Sequence, residues 1–178
     1  MLSLEEAQTR ILAQVETLGS ESVPLSAAAG RYLLVPPAAQ ADLPGFDNSA
    51  MDGYAVRSED LKSARSDSPV TLQIIGKIAA GQSPEQLILS AGACCRVFTG
   101  SMLPNGADAV LMQEDTRPGK LETVECFDST RPLEHIRLKG EDVRKGALLL
   151  SPGERLSAGK LSLGASAGIV TLKCGRQP

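Results

Sequence analysis

Glycine and proline punctuate this chain so densely that little of it can be helical. Its 178 residues include 17 Gly and 11 Pro. The segments between these breaks are of strand length: "VTLQIIGKIAAGQSP", "ACCRVFTG", "DAVLMQED", "LETVECF", "HIRLKGED" and "ALLLSPGERL". Runs this short, rich in Val, Ile and Leu and closed by Gly, Pro or acidic turns, predict a mainly β (α+β) chain. The first segment breaks the pattern. In "MLSLEEAQTRILAQVETLGSE", Ser3 and Glu6 have capping-box spacing, Leu4, Ala7, Ile11, Val15 and Leu18 fall at helical intervals, and Gly19 is a natural stop. That predicts one amphipathic helix whose apolar strip needs a partner. The tail "SAGKLSLGASAGIVTLKCG" predicts a short helix of small residues and a closing strand from Ile169 to Lys173. Tyr32 to Val35 is an apolar run stopped by Pro36-Pro37, which cannot continue a ladder.

The residues are 42% hydrophobic and 22% charged, enough to bury the core of one domain or of two small ones. A net charge of -3 with only 3% aromatic residues argues against nucleic acid as a partner, because both the basic footprint and the stacking rings are missing. No stretch approaches the roughly 18 apolar residues of a membrane span. Glu5 and Glu6 stand where a secretory signal carries basic residues, so a cytoplasmic chain without membrane partners is expected. Cys94, Cys95, Cys126 and Cys174 show no C-x-x-C pairing, and the single His135 completes no zinc site by a common spacing; reduced core thiols are expected.

Three stretches carry candidate chemistry. In "DLPGFDNSAMDGYAV", Asp42, Asp47 and Asp52 recur every five residues around a Pro-Gly turn, with no Lys or Arg before Arg57. Such a turn suits Mg²⁺ or Ca²⁺. It fails as an EF-hand counted from Asp47, because the Gly falls one place late at Gly53 and the twelfth position lacks Glu. Side-chain-to-backbone turns anchored by Phe46, Met51 and Tyr54 account for it equally well. In "RVFTGSMLPNGADAV" a strand ends at Thr99-Gly100-Ser101, where two hydroxyls and a Gly N–H converge at a tip able to hold an anion. A plain β-connection is the competing reading. In "HIRLKGEDVRKG", strand alternation puts Arg137 and Lys139 on one face with Gly140-Glu141-Asp142 as the turn, so cations and carboxylates meet at one edge. An Arg there can hold a phosphate by two bonds; a solvated charged hairpin is the competing reading.

Taken together and in this order, the three stretches resemble the N-terminal portion of the molybdopterin molybdenumtransferase family, the MoeA proteins of bacteria and the E domain of gephyrin. "PGFDNSAMDGYAV" is similar to the family signature, "TGSMLPNGADAVLMQED" to its T-G-x-x-x-P-x-G-x-x-x-V-x-x-E segment, and "IRLKGEDV" to its basic-G-E-D segment. The resemblance implies a two-lobed, complex β region. Its parts are an N-terminal amphipathic helix and linker over 1–26, a discontinuous first lobe over 27–43 plus 143–178, and a β-rich second lobe over 44–142 inserted into it.

The resemblance also implies an enzyme of molybdenum cofactor biosynthesis. Such an enzyme inserts molybdate into adenylylated molybdopterin, hydrolysing the adenylate with Mg²⁺ as cofactor. It implies a homodimer whose active site is shared with an α/β domain of the partner subunit. Carried over by position, Asp52, Thr99, Arg137 and Asp142 are catalytic. Thr99, Ser101 and Arg137 hold oxyanion or phosphate oxygens of the molybdopterin adenylate and molybdate, and Asp52 and Asp142 coordinate or orient the metal. Asp42 and Asp47 are structural. The sequence departs from the family's pattern at Ser101-Met102 and at Leu138. Because members of the family are longer, the chain is expected to be a truncation, inactive by itself. A non-catalytic dimerisation or scaffolding module is the rival from another functional class.

Overall fold

The structure, a computed structural model, describes residues 2–16, 18–84 and 87–177. In chain order the elements are α1 (Leu4–Leu12), β1 (Ser20–Pro24), β2 (Leu33–Val35), β3 (Asn48–Ser49), β4 (Gly53–Val56), β5 (Val70–Ile78), β6 (Ala93–Val97), β7 (Ala109–Met112), β8 (Thr116–Pro118), β9 (Thr123–Cys126), β10 (Ile136–Arg137), α2 (Ala158–Ser166) and β11 (Thr171–Gly175), with short 3-10 turns between some of them. The chain is mainly β, as its punctuation predicts. It divides into two compact units, Met1–Ala41 with Arg144–Pro178, and Asp42–Val143.

The first unit is built on a three-stranded antiparallel sheet in the order β1-β11-β2. Leu172 and Cys174 alternate inward on β11 and join Val23, Ala28, Leu33, Leu156 and Ile169 in its core. Arg31 is tied to Glu21 and donates to the Gly175 carbonyl at 2.6 Å, pinning the sheet's end. α2 starts at Ser157, whose hydroxyl accepts from the Lys160 N–H. Gly168, at φ +83, lets the chain leave that helix, and the closing strand begins at Thr171, two residues later than its apolar run suggested.

α1 carries the full capping box: the Glu6 N–H donates to the Ser3 hydroxyl at 3.1 Å, and the Ser3 N–H to the Glu6 carboxylate at 3.0 Å. It stops well before Gly19. Ala13 caps it, donating to the Ile11 and Thr9 carbonyls, so Val15 and Leu18 of the expected strip lie beyond the helix. No residue of α1 is buried, and Leu4, Ile11 and Leu12 are all at least 65% exposed.

The second unit holds a six-stranded sheet, β7-β4-β6-β5-β9-β8, antiparallel except for the parallel pair β5/β6. Each face is buried against its own cluster. One gathers Val56, Leu61, Leu72, Cys94, Leu111, Val124 and Cys126. The other gathers Ala55, Ile78, Leu89, Cys95, Val97 and Val110. A separate two-stranded ladder pairs β3 with β10. Among the described residues no helix is long and apolar enough to cross a membrane.

All four cysteines are free and buried. Burial pushes the Cys94 and Cys126 thiols up to about 12 and Cys95 up to about 11, because a thiolate in these apolar clusters would lose its hydration. At pH 8 these three therefore remain protonated. Iodoacetamide at that pH is expected to leave the folded chain unmodified at Cys94, Cys95 and Cys126, and to label them only once denaturant is added. Prompt labelling without denaturant, read by peptide mass spectrometry, would contradict the packing described.

Candidate functional site

The three stretches singled out in the sequence converge on β3 through residues of the second unit. On one side of this strand Arg137 of β10 stands opposite Asn48. On the other side Asn48 bridges to Met102, the Ser49 N–H donates to the Ser101 carbonyl at 3.0 Å, and the Gly100 N–H donates to the Ser49 carbonyl at 2.8 Å. The signature strand is thus laced between the Thr-Gly-Ser segment and the basic segment.

Asp52 sits where the signature turn enters β4. Gly53 of β4 pairs with Val97 of β6, so the residues just past the two strand ends are brought together. Oδ1 of Asp52 accepts two hydrogen bonds from Thr99, one from its N–H and one from its hydroxyl, each 2.8 Å long. Those bonds, the backbone one foremost, hold the carboxyl below the usual carboxylate range, with the Arg96 charge adding in the same direction. Asp52 is therefore ionised at neutral pH. Its Oδ2 receives no hydrogen bond among the described residues.

The basic segment is organised around its own acids. The Arg137 Nε donates to Glu141 at 2.9 Å and one Nη to Asp142 at 2.6 Å. The other Glu141 oxygen accepts from the Leu138 N–H at 2.8 Å, which with Arg137 keeps that carboxyl below its ordinary range. Strand pairing covers only Ile136 and Arg137, so Lys139 lies in the turn and does not share the strand face with Arg137 that alternation implied. Its N–H donates to Asp47 at 2.7 Å, and its ammonium lies 3.6 Å from Asp42. The first two aspartates of the opening turn, Asp42 and Asp47, thus brace the 138–142 loop, while Asp52 turns to Thr99.

The expected convergence at the strand tip is corrected. Ser101 is fully buried, its hydroxyl donating to the Ile78 carbonyl at 2.9 Å and accepting from the Phe98 N–H at 3.2 Å, so it presents nothing to a ligand. The Gly100 N–H is likewise spent on Ser49. The strand tip therefore offers no convergence of two hydroxyls and a free N–H; Thr99 alone remains exposed there, and it serves Asp52. Arg137 itself, moreover, is already paired with two carboxylates, those of Glu141 and Asp142. A bare oxyanion at this edge would be repelled without an accompanying cation.

That charge balance bears on magnesium. Mg²⁺ takes hard oxygen ligands, keeps several waters and needs only one or two protein carboxylates. Asp52, ionised and with one oxygen open, fits this requirement. Asp142 offers a second carboxylate but has an oxygen held by Arg137. No group of three or more His, Cys, Asp or Glu side chains suited to a metal is found among the described residues.

Arg96 on β6 went unnoticed in the sequence. It donates to the Gly53 carbonyl at 3.4 Å and to the Gln113 side chain, and its guanidinium lies 5.1 Å from the ring centres of both Tyr54 and Phe98. It therefore touches the residue following Asp52 and the residue preceding Thr99. Only the register of three strands reveals this, so no local spacing could have found it.

Comparison with known proteins bears on all of this. The family model described as "MoeA N-terminal region (domain I and II)" matches residues 2–168. The molybdopterin molybdenumtransferase of Haemophilus influenzae is 39% identical over 178 residues, covering 99% of this chain and 43% of its own length. That of Synechococcus elongatus is 38% identical, covering 95% of this chain and 42% of its own length. A crystal structure of the molybdopterin biosynthesis MoeA protein from Pyrococcus horikoshii OT3 superimposes with a TM-score of 0.93 at 32% identity, covering 100% of this chain and 47% of that one. The chain spans less than half the length of these relatives.

Proposed function

Because the chain belongs to the MoeA N-terminal region family, we propose that it forms part of a molybdenum cofactor biosynthesis enzyme, one that inserts molybdate into adenylylated molybdopterin and hydrolyses the adenylate. The observation that carries this reading is Asp52: an ionised carboxylate at the surface, fixed through one oxygen by both donors of Thr99 and open at the other. A group so held needs no reorganisation to act, which is what electrostatic catalysis demands.

In this reading Asp52 orients Mg²⁺ through its open oxygen or positions the water that attacks the phosphoanhydride, and Thr99 sets the carboxylate's direction. When bound, Mg²⁺ supplies charge neutralisation on the phosphate oxygens. Arg137 keeps Glu141 and Asp142 together and contacts a phosphate oxygen only alongside that cation. The rest of the site comes from an α/β domain of a partner subunit.

The test uses two polypeptides: this chain alone, and this chain joined to the remaining C-terminal portion of the Haemophilus influenzae relative. With adenylylated molybdopterin, molybdate and Mg²⁺, the fusion is expected to turn over and the chain alone is not. Turnover by the chain alone, or a folded fusion with none, would overturn the proposal.

A homodimer belongs to the same proposal, with α1 at its interface. An apolar strip as exposed as Leu4, Ile11 and Leu12 is a patch that soluble monomers avoid, and burying each such side chain is worth roughly 1.5 to 3 kcal/mol. Replacing Ile11 and Val15 with Glu is expected to weaken self-association in size-exclusion with light scattering while leaving the β signal in circular dichroism intact. Unchanged association with a collapsed β signal would show that the strip serves its own chain's core.

A further inference from the structure

Asp52 leaves the sheet where the ladder gives it no support. The last pairs of β4 at this end are Gly53 with Val97 of β6 and Gly53 with Met112 of β7, so Asp52 lies one residue beyond the ladder on both sides. Thr99 lies two residues beyond it on the β6 side. Backbone past the last ladder pair belongs to the less stable part of a fold, so a carboxylate carried there keeps its direction only if other contacts hold it.

Arg96 supplies such contacts. It stands opposite Tyr54 in the β4/β6 register and, two residues before Phe98, shares that residue's face of the sheet. One Nη donates to the Gly53 carbonyl and the other to the Gln113 side chain. Gln113 in turn donates its backbone N–H to the Asp52 carbonyl at 3.0 Å. The contacts close a circuit that runs from Arg96 to Gln113, to Asp52, and through Gly53 back to Arg96. The Gly53 bond is long at 3.4 Å, so the Gln113 side of the circuit carries more of the restraint. On the other flank the guanidinium lies 5.1 Å from the ring centre of Phe98, within cation–π reach, and Phe98 is the residue before Thr99. No salt bridge joins Arg96 to Asp52 among the described residues, so its hold on the carboxylate passes through these neighbours. A planar guanidinium with five donors can reach two acceptors while it lies over the Tyr54 and Phe98 rings; a Lys ammonium has the charge without the fork.

We propose that Arg96 is a positioning residue of the site: by tying Gly53 and Gln113 on one flank and Phe98 on the other, it keeps the Asp52 carboxylate seated on Thr99 in the direction the reaction uses. It touches no substrate in this role, and the role rests on Asp52 taking part in the reaction as proposed above.

The experiment compares Arg96→Met, which keeps an apolar stem and loses every donor, with Arg96→Lys, which keeps the charge. Its first arm is amide hydrogen exchange by ¹⁵N NMR on the 178-residue chain. The Thr99 and Gln113 amides both donate to Asp52, and in Arg96→Met they are expected to exchange at least about tenfold faster while the amides of β5 and β9 are unchanged. The second arm is steady-state kinetics on the fusion with the Haemophilus influenzae portion. There kcat is expected to fall at least about tenfold with KM for adenylylated molybdopterin within about twofold of the parent, and in an Asp52→Ala background Arg96→Met should cost less than about twofold more. Arg96→Lys, lacking the fork, should lose as much as Arg96→Met. A raised KM with an unchanged kcat would make Arg96 a substrate contact, and losses that multiply with Asp52→Ala would show it acting apart from Asp52; either overturns the proposal. Parent-like exchange at Thr99 and Gln113 would overturn it too, as would an Arg96→Lys enzyme as fast as the parent. Exchange accelerated throughout the unit would show a merely structural arginine. If Asp52→Ala itself leaves the rate unchanged, the catalytic reading of Asp52 fails, and the exchange arm alone decides whether Arg96 seats the carboxylate.

Discussion

Gly53→Ala is expected to unfold the second unit at temperatures where the parent chain is intact. Gly53 opens β4 and pairs on one side with Val97 and on the other with Met112. A Cβ built there would lie 2.0 Å from the Leu111 carbonyl oxygen and 3.2 Å from the Met112 Cα. Both obstacles are backbone in the neighbouring strand, so no side-chain rotation relieves the clash. β7 must move away from β4, breaking ladder bonds between two strands whose Val56, Ala109, Val110 and Leu111 are core. A cost of at least about 3 kcal/mol follows, at the upper end for overpacking. Gly159→Ala in α2 is the control, since nothing lies within 4 Å of its Cβ position. It should raise stability by up to about 1 kcal/mol. Two Gly→Ala substitutions of opposite sign, read by urea denaturation, separate a close backbone approach from the ordinary cost of glycine.

The second large effect falls on rate. In a full-length polypeptide carrying this segment, Asp52→Ala should lower molybdate insertion by at least about tenfold, or roughly 1.4 kcal/mol of transition-state stabilisation. Folding should barely change, because the carboxylate is bound only to the exposed Thr99 and makes no salt bridge among those found. Asp47→Ala should do the reverse. Asp47 accepts from the Lys139 N–H and so braces the loop holding Glu141 and Asp142. Its loss leaves that N–H to water and costs stability more than rate. A fall in stability for both variants, with no specific rate defect in either, would make the signature a structural turn.

What the sequence made legible was local. The Ser3–Glu6 capping box spans three residues and is present as read. The stop at Pro36-Pro37 ends β2 as expected, because a missing N–H acts wherever it stands. α1 shows the limit. Its apolar spacing runs on to Leu18, yet the helix ends at Leu12, since periodicity records which residues would share a face and not whether anything packs on it. Ser101 shows the limit at the site. As a hydroxyl beside Thr99 it is equivalent in the sequence, but the Ile78 carbonyl that accepts its hydrogen bond is 23 residues away. The Asp52–Thr99 contact spans 47 residues: family resemblance singled out each residue, but neither it nor any spacing announced that the two meet. Arg96 was invisible for the same reason: its neighbours Tyr54 and Lys77 are set by an antiparallel and a parallel pairing that no run of residues announces.

The central claim is that Asp52 and Thr99 act as one unit in the insertion of molybdate. The measurement that tests it most directly is a double-mutant cycle on kcat/KM in the full-length polypeptide, with Asp52→Ala, Thr99→Val, the pair together, and Thr99→Ser, which keeps the hydroxyl. If the unit is real, each disruptive single variant loses at least about tenfold, the double loses no more than the worse single, and Thr99→Ser stays near the parent. Losses that multiply in the double variant, or a Thr99→Val enzyme as fast as the parent, would contradict it.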